Sequence, residues 1–276
     1  MRGGAQSHLM LGADGNLWVV KFRNNPQGAR VLANELVATR LAQAAGLSVP
    51  ASDTVEVSDW LIGNSPELWV EGERGERVKC QGGLAFGSQF VGGLMPGHVV
   101  DYLPEEQVAE LRNLEEFAGM LCIDKWTGNS NGRQAVFARK PRERRYRAVF
   151  IDQGFCFHAN QWTFPDVPMR GVYPRNLVYE NVTGWDSFEP WITHVEEMPP
   201  DILWAIAEEV PPEWYGDPSA LEALLQLLLK RRGRVRELIT AFRESQRAPF
   251  PNWGSAARSV VPRAFPYEGA ASKLVM

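Results

Sequence analysis

The chain has 276 residues, 45% of them hydrophobic and 22% charged, with a formal net charge of −4. This composition is ordinary for a soluble globular protein, and the absence of a positive excess gives no reason to expect nucleic acid or an anionic membrane as a partner. The length suffices for one two-lobed domain or two small domains with a sizeable core.

The cysteines and the chain start bear on the cellular compartment. Cys80, Cys122 and Cys156 share no metal-binding spacing, so free thiols in a reducing compartment are expected. The N-terminus carries no apolar signal segment, and no apolar run approaches the ~18 residues of a membrane span. We therefore expect a cytoplasmic protein without a membrane anchor.

The first predicted element is a β-hairpin, whose second strand is Leu17–Phe22. The stretch before it reads Gly3-Gly4-Ala5-Gln6-Ser7. Glycines at this place would let backbone N–H groups approach phosphates closely, with Ser7 as a further donor. The alternative is a frayed chain start.

A lysine and a glutamate follow in an order typical of kinases. Lys21 lies inside an apolar strand, where it is costly to bury unpaired, although on an edge strand it would extend to solvent. The segment Ala29–Ala45 carries a helical stripe of apolar residues closed by Gly46. Glu35 lies near that stripe. In kinases such a glutamate holds the lysine that contacts the α- and β-phosphates. The alternative for Glu35 is an exposed helix carboxylate.

Three more strands are predicted before a mainly helical part, at Leu47–Trp60, Leu68–Val70 and Leu84–Val91. A polar, turn-rich excursion covers residues 71–79. In a two-lobed kinase the last strand would lead into a hinge whose backbone faces adenine, and the candidate residues are Gln89, Phe90 and Val91.

A predicted helix over Leu103–Ile123 leads into a polar loop and a second β-hairpin, with strands at Ala135–Ala138 and Tyr146–Ile151. The hairpin would hold Asp152 close to a polar cluster made of Asp124, Asn129, Asn131 and Gln134. Phosphoryl transfer needs such a pair of loops, because one orients the nucleophile and the other holds Mg²⁺ against the phosphates. The alternative is an Asx-type turn on each side of the hairpin.

The C-terminal part is predicted to be helical, with helices at Asp201–Val210, Pro218–Lys230 and Arg234–Ser245. The aromatic residues of the preceding segment, Trp185, Phe188 and Trp191, are expected to be packing anchors. Residues 246–276 show no periodicity and predict a loosely ordered tail.

With GGAQS, VVKF, NELVATRLA, DKWTGNSNGRQ and FIDQGFCF in this order, the chain resembles the HipA-like kinases and is similar in plan to the type II phosphatidylinositol 4-kinases. The resemblance covers roughly residues 3–245. It implies an α+β, two-lobed protein-kinase-like fold with a β-rich N-lobe at 1–93 and a mainly helical C-lobe at 94–245. It also implies ATP and Mg²⁺ as cofactors and a protein Ser or Thr as the acceptor.

The resemblance also implies residue roles. Gly3–Ser7 matches the phosphate loop, and Lys21 matches the phosphate-binding lysine with Glu35 as its helix partner. Asp152, in Asp-Gln-Gly, matches the Mg²⁺-binding aspartate of an Asp-Phe-Gly-like motif.

The catalytic loop departs from the family pattern Gly-Asn-Thr-Asp, in which the Asp is the base and an Asn five residues on binds the metal. Here Asn131 stands at the base position and Val136 at the metal position. Asparagine does not accept a proton and valine does not bind a metal, and Gln134 is a candidate to replace the missing ligand. In a second register, Asp124 and Asn129 have the spacing of base and metal ligand. Because Asp124 directly follows an apolar run, a bracing role suits it better.

Three function classes follow from the sequence. An ATP-dependent kinase is favoured. Lys21 and Asp152 argue against a mere interaction protein, because a protein without a nucleotide gains nothing from either residue. A nucleotide-binding pseudokinase comes second, and an interaction protein that merely keeps the fold comes third. The sequence does not identify the phosphoacceptor.

Overall fold

The computed structural model describes residues 4–72, 74–92 and 95–255, and the backbone of residues 274–275. Gly3 of the predicted phosphate loop lies outside the described residues. The same is true of residues 93 and 94, where the predicted boundary between the lobes falls.

The N-terminal part is built on a sheet. In chain order its strands and the hairpin beside it are β1 (His8–Leu11), β2 (Leu17–Lys21), β3 (Ser52–Val57), β4 (Trp69–Glu71), β5 (Arg77–Lys79) and β6 (Gly83–Gln89). Among these strands the sheet order is β1-β2-β6-β3, all antiparallel, and β4 pairs with β5. Because β2 lies between β1 and β6, Lys21 is not on an edge strand.

The helices are α1 (Arg30–Ala44), α2 (Asp59–Asn64), α3 (Glu105–Ala109), α4 (Glu116–Thr127), α5 (Trp191–Glu196), α6 (Pro200–Glu208), α7 (Pro212–Tyr215), α8 (Pro218–Arg231) and α9 (Val235–Arg243). Helix α1 is buried on nearly every face, because it packs against β3 and β6 as well as against α4, α6 and α7. It therefore belongs to the same hydrophobic core as the C-terminal helices.

Two predicted elements are wrong in extent. The strand predicted over Leu47–Trp60 ends at Val57, because Ser58 accepts a hydrogen bond from the Leu61 amide (3.2 Å) and starts α2. The excursion over residues 71–79, predicted as turns, contains β5.

The helix predicted over Leu103–Ile123 is two helices, α3 and α4. Between them, the buried Asn113 side chain donates to the Ala148 carbonyl (3.0 Å) and accepts from the Ala148 amide (2.9 Å). This strand-like pairing draws the chain out of a helical path. Helix α4 then continues to Thr127 and ends at Gly128, which has a left-handed φ of 60°. Asp124 is therefore helical, and the predicted helix end at Ile123 is wrong.

A second sheet carries the predicted central hairpin. Its strands are β7 (Val99–Val100), β8 (Gln134–Ala138) and β9 (Arg147–Ile151), paired antiparallel in that order. The hairpin is confirmed, with the charged turn at its tip. Its register sets Gln134 opposite Ile151, so Gln134 lies next to Asp152, the residue that follows Ile151.

The three C-terminal helices are confirmed within a few residues as α6, α8 and α9. Phe188 and Trp191 are buried, as expected of packing anchors. The segment predicted as a loose tail begins as packed structure, since Phe250 is buried against Tyr179, Phe188 and Phe242. Further along it, β10 (Leu274–Val275) runs parallel to β3.

No helix in the described part of the chain combines the length and the apolar character needed to cross a membrane.

Candidate active site

A cleft of about 900 Å³, which includes space open to solvent, is lined by strands of both sheets. Its apolar lining comes from both sheets and includes Val19, Phe86, Val99, Val136 and Ile151. The same lining contains nine residues that the sequence singled out, namely Gly4, Ser7, Lys21, Glu35, Gln89, Phe90, Val91, Gln134 and Asp152. Val136 lies on β8 as part of the apolar lining.

Lys21 connects two carboxylates in this cleft. It is 8% exposed, its Nζ forms an ion pair with Glu35, and the same Nζ lies 2.9 Å from Asp152 Oδ1. An ammonium in a buried strand needs such partners, because burying it alone would be costly. The alternative of an exposed carboxylate at Glu35 is wrong, since that residue is buried.

Glu35 also organises the chain after Asp152. Its carboxylate accepts hydrogen bonds from the backbone amides of Gln153 (2.9 Å) and Gly154 (3.0 Å). Helix α1 thus fixes both the lysine and the backbone of the Asp-Gln-Gly segment. Sequence reasoning missed this second role, because nothing in the sequence shows which amides approach a carboxylate.

The charges of these groups follow from their surroundings. Burial disfavours the Lys21 ammonium, but the carboxylates of Glu35 and Asp152 together raise the pKa of Lys21 above its ordinary value. Burial raises the pKa of Glu35, and Lys21 opposes that effect. Burial would also raise the pKa of Asp152, yet the Lys21 ammonium holds it below the ordinary value. Asp152 is therefore ionised at neutral pH.

Gln134 lies beside Asp152 because of the hairpin register. Its Nε2 donates a hydrogen bond to Asp152 Oδ2 (2.7 Å). Asp152 itself has a left-handed φ of 62°, which is uncommon for a residue other than glycine. Both carboxylate oxygens of Asp152 thus face a nitrogen donor, one from Lys21 and one from Gln134.

The predicted hinge has few free backbone donors. The amide of Gln89 donates to the Ala51 carbonyl (2.7 Å), and that of Phe90 donates to the Leu17 carbonyl (2.8 Å). Among the described residues, the amide of Val91 has no such partner. Val91 is therefore the member of this trio with an amide available to a ligand.

Asp124 is engaged on both oxygens and does not line the cleft. It is 2% exposed, and it accepts hydrogen bonds from Asn129 Nδ2 (2.8 Å), from Arg133 Nε (2.9 Å) and from Arg133 Nη2. Asn129 is also buried. These two predicted site residues contact each other below the loop.

Arg133 is a residue that sequence reasoning missed. Besides pairing with Asp124, its Nη1 donates to the carbonyls of Ile151 (2.8 Å) and Asp152 (3.3 Å). Burial disfavours the charged guanidinium, but the Asp124 carboxylate beside it holds the pKa of Arg133 above its ordinary value. Arg133 thus ties the end of α4 to the strand end that carries Asp152. A basic residue two positions after Asn131 was the available signal.

Asn131 is exposed at the tip of the loop. Its backbone amide donates to Asn129 Oδ1 (3.0 Å), and its side-chain Oδ1 accepts from the Gly132 backbone amide (2.9 Å). Asn131 does not line the cleft that contains Lys21 and Asp152, but it lines a neighbouring cavity. The structure thus brings Lys21, Glu35, Gln134 and Asp152 together in one cleft, whereas Asn131 lines a different cavity.

Metal-ligating side chains are sparse. Within the described residues, no group of three or more His, Cys, Asp or Glu side chains is arranged to hold a metal ion. The lining of the cleft offers the carboxylates of Glu35 and Asp152, together with the side-chain amide of Gln134, which contacts Asp152.

An antiparallel sheet with one buried helix, followed by a helical part and a cleft between them, defines a protein-kinase-like fold. Residues 1–141, just over half of the 276, match the sequence model of the family described as HipA-like kinase. The chain belongs to this family, so the resemblance and the α+β kinase-like fold predicted from the sequence are confirmed.

Solved structures share this fold. The Helicobacter pylori proinflammatory kinase CtkA has 13% identity and a TM-score of 0.50, covering 86% of this chain and 94% of that one. Shewanella oneidensis MR-1 HipA, in complex with HipB and operator DNA, has 13% identity and a TM-score of 0.50, covering 89% and 67%. The Golgi casein kinase with Mn and ADP bound has 12% identity and a TM-score of 0.51, covering 89% and 72%. No curated protein sequence matches the chain.

Proposed function

We propose that the chain is an ATP- and Mg²⁺-dependent phosphotransferase that phosphorylates a Ser or Thr of a protein. One observation carries the proposal: Lys21 contacts Glu35 and Asp152 in the same cleft. A lysine held by a helix glutamate and an aspartate after the second hairpin strand are the kinase parts that bind phosphates and metal. Membership of the HipA-like kinase family supports the same reaction class.

The cleft fits a nucleoside triphosphate. Val19, Phe86 and Val136 offer apolar surface for a base, and the Val91 amide is free to donate to it. Gly4 and Ser7 lie in the same lining as Lys21, so their polar groups are assigned to the phosphates with the ammonium.

Asp152 and Gln134 are assigned to the metal. They fit Mg²⁺, which binds oxygen ligands and usually takes one or two side chains together with phosphates and water. When bound, the ion would supply positive charge against the negative charge that develops on the phosphates during transfer. For this, the Gln134 side chain has to turn its amide oxygen toward the ion, because its amide nitrogen now donates to the carboxylate.

Asn131 is assigned to the acceptor. Its amide would orient the hydroxyl, whose oxygen forms a bond to the γ-phosphorus while the bond to ADP breaks. Asparagine accepts no proton, so the hydroxyl proton passes to a phosphoryl oxygen or to water. A loose transition state makes positioning more important than early proton removal. Asp124 is assigned a bracing role, since Arg133 and Asn129 occupy both its oxygens.

A nucleotide-binding pseudokinase is the second candidate, and the asparagine at the base position favours it. We also propose a cytoplasmic location, supported by the free, buried thiols of Cys80, Cys122 and Cys156.

Thermal unfolding with and without Mg-ATP tests the nucleotide site. A ligand at ~100 times its dissociation constant adds about 2.7 kcal/mol to the free energy of unfolding. We expect this stabilisation in the native protein and in Lys140→Met, which alters an exposed lysine outside the cleft. It should vanish in Lys21→Met and Asp152→Ala. An unchanged melting temperature of the native protein in millimolar Mg-ATP would contradict both the kinase and the pseudokinase.

A further inference from the structure

A second cavity adjoins the tip of the catalytic loop. It measures about 660 Å³, including space open to solvent, and we call it the acceptor-side cavity. Its polar lining consists of Ser130, Asn131, His158, Asn160, Gln161 and Arg170. No acidic side chain of the described residues lines it. Arg170 is therefore the residue of this lining that is positively charged at every physiological pH.

Both walls of the acceptor-side cavity are fixed to the catalytic loop through the backbone. The Ser130 amide donates to the Phe155 carbonyl (3.0 Å), and the Gly171 amide donates to the Asn131 carbonyl (2.9 Å). Gly171 has a φ of 62°, and a Cβ there would come within 3.1 Å of the Asn129 carbonyl oxygen. Glycine allows this close approach, which places Arg170 directly beside Asn131.

The wall over residues 157–162 has a strained backbone. Phe157, His158, Ala159 and Trp162 all adopt left-handed φ values, between 50° and 59°. Such residues are energetically unfavourable and occur where the surroundings impose them, often at functional sites. The wall is thus held in an unusual shape against its own preference.

Asn34, the neighbour of Glu35 on α1, holds this wall. Its buried Nδ2 donates to the carbonyls of Gly154 (2.8 Å) and Ala159 (3.0 Å), and its Oδ1 accepts from Trp162 Nε1 (2.8 Å). One helix therefore positions the nucleotide side through Glu35 and the acceptor-side cavity through Asn34.

The Arg170 guanidinium is free to bind a ligand. It is exposed and forms no hydrogen bond or ion pair with the described residues, whereas Lys125 Nζ fixes its backbone carbonyl (2.7 Å). Arginine presents a planar fork that matches carboxylate or phosphate oxygens in pairs. In Arg170 the backbone is held in place while the guanidinium has no partner in the described part of the chain, and this combination suits the recognition of an anionic group.

We propose that the acceptor-side cavity receives the phosphoacceptor segment of a protein, and that Arg170 selects segments with an anionic group within a few residues of the hydroxyl. The group is a carboxylate or a phosphate, which share this chemistry. This inference rests on the proposed phosphotransferase function and adds a substrate class to it.

The test is phosphate transfer from Mg-ATP to a Ser/Thr peptide library with Glu, phosphoserine, Ala or Lys at each flanking position. The native protein should prefer Glu or phosphoserine at one position, and the preferred residue identifies the source of the anion. Arg170→Glu should lower kcat/KM for those peptides by ~10- to 100-fold, mainly through KM, because a charge-assisted hydrogen bond is lost. It should also favour the Lys peptides.

Arg142→Glu is the matched control, since it makes the same charge change at an exposed residue of the β8–β9 turn. It should leave the preference unchanged. Stabilisation by Mg-ATP should be the same in both variants. If Arg170→Glu keeps the native preference, the role of Arg170 is wrong while the phosphotransferase function stands. If the native protein autophosphorylates but phosphorylates no peptide, the inference about the acceptor segment is overturned while the phosphotransferase function stands. If neither autophosphorylation nor peptide phosphorylation occurs, in the native protein or in Asn131→Asp, both proposals are overturned.

Discussion

Lys21 Nζ lies 2.9 Å from Asp152 Oδ1, so a residue of the N-terminal sheet directly contacts the strand end of the second hairpin. The other oxygen of Asp152 accepts from Gln134 (2.7 Å). A cation that binds Asp152 therefore competes with Lys21 and Gln134 for the charge of this carboxylate. The phosphates of a nucleotide would offer Lys21 another anionic partner, which couples the two binding events.

This competition predicts opposite effects of one substitution. In Lys21→Met, Asp152 and Glu35 lose the ammonium between them, so Mg²⁺ without nucleotide should stabilise this variant more than the native protein. Stabilisation by Mg-ATP should disappear in the same variant. The measurement is the melting temperature over a MgCl₂ series, with Lys140→Met as the control. Equal responses of native protein and Lys21→Met to Mg²⁺ alone would show that Lys21 does not compete for Asp152.

The catalytic loop yields a second prediction. Asn131→Asp should keep or raise the rate of phosphotransfer, because it restores a proton acceptor at the base position. Asn131→Ala should lower kcat, within the ~10²–10⁴-fold range typical of removing a positioning or acid–base group. Because Asn131 is exposed, neither change should lower the melting temperature by much. A rate unaffected by Asn131→Ala would remove this residue from the reaction.

Asp124 should act mainly through stability. Asp124→Asn leaves the buried Arg133 guanidinium without its counter-charge, which typically costs about 3–5 kcal/mol of unfolding free energy. Urea unfolding measures the change, and Asp186→Asn, at an exposed residue, is the control. An Asp124→Asn protein that unfolds like the native one yet transfers no phosphate would instead make Asp124 the base.

The buried Lys125 predicts that the free energy of unfolding depends on pH. Burial lowers its pKa from about 10.5 to about 8, although its Nζ donates to the carbonyls of Pro168 and Arg170 (both 2.7 Å). Between these values the unfolded chain binds more protons than the folded one, so Lys125 contributes stability that rises with pH. Below pH 8 this contribution is constant.

Urea unfolding of the native protein and of Lys125→Met from pH 7 to pH 10.5 isolates this contribution. The difference between the two unfolding free energies should be flat up to pH ~8. It should then change in favour of the native protein by at most about 3 kcal/mol, since one pKa unit corresponds to ~1.4 kcal/mol. A flat difference over the whole range would mean that Lys125 titrates normally.

Much of the cleft that we propose for the nucleotide was predictable, because its residues lie in local sequence patterns. The lysine in an apolar strand, the glutamate near a helical stripe and the aspartate after a hairpin each follow from periodicity and turns. The register of β8 and β9, which sets Gln134 beside Asp152, follows from the same alternation.

The remaining features depend on contacts between distant segments. Asn113 breaks a predicted helix by pairing with Ala148, and Asn34 holds residues 154–162 of the wall. Arg133 joins α4 to the backbone beside Asp152. The sequence does not show which partner an Asn or Arg side chain has, because its several hydrogen-bonding groups can pair with many different backbone and side-chain groups.

The central claim is that this cleft transfers phosphate from ATP to a protein hydroxyl. Incubation with γ-labelled ATP, Mg²⁺ and the Ser/Thr peptide library, with autophosphorylation followed in parallel, tests it most directly. We predict label transfer by the native protein and by Asp186→Asn, and none by Asp152→Asn. Tight Mg-ATP binding without label transfer by either the native protein or Asn131→Asp would contradict the claim and identify a nucleotide-binding pseudokinase.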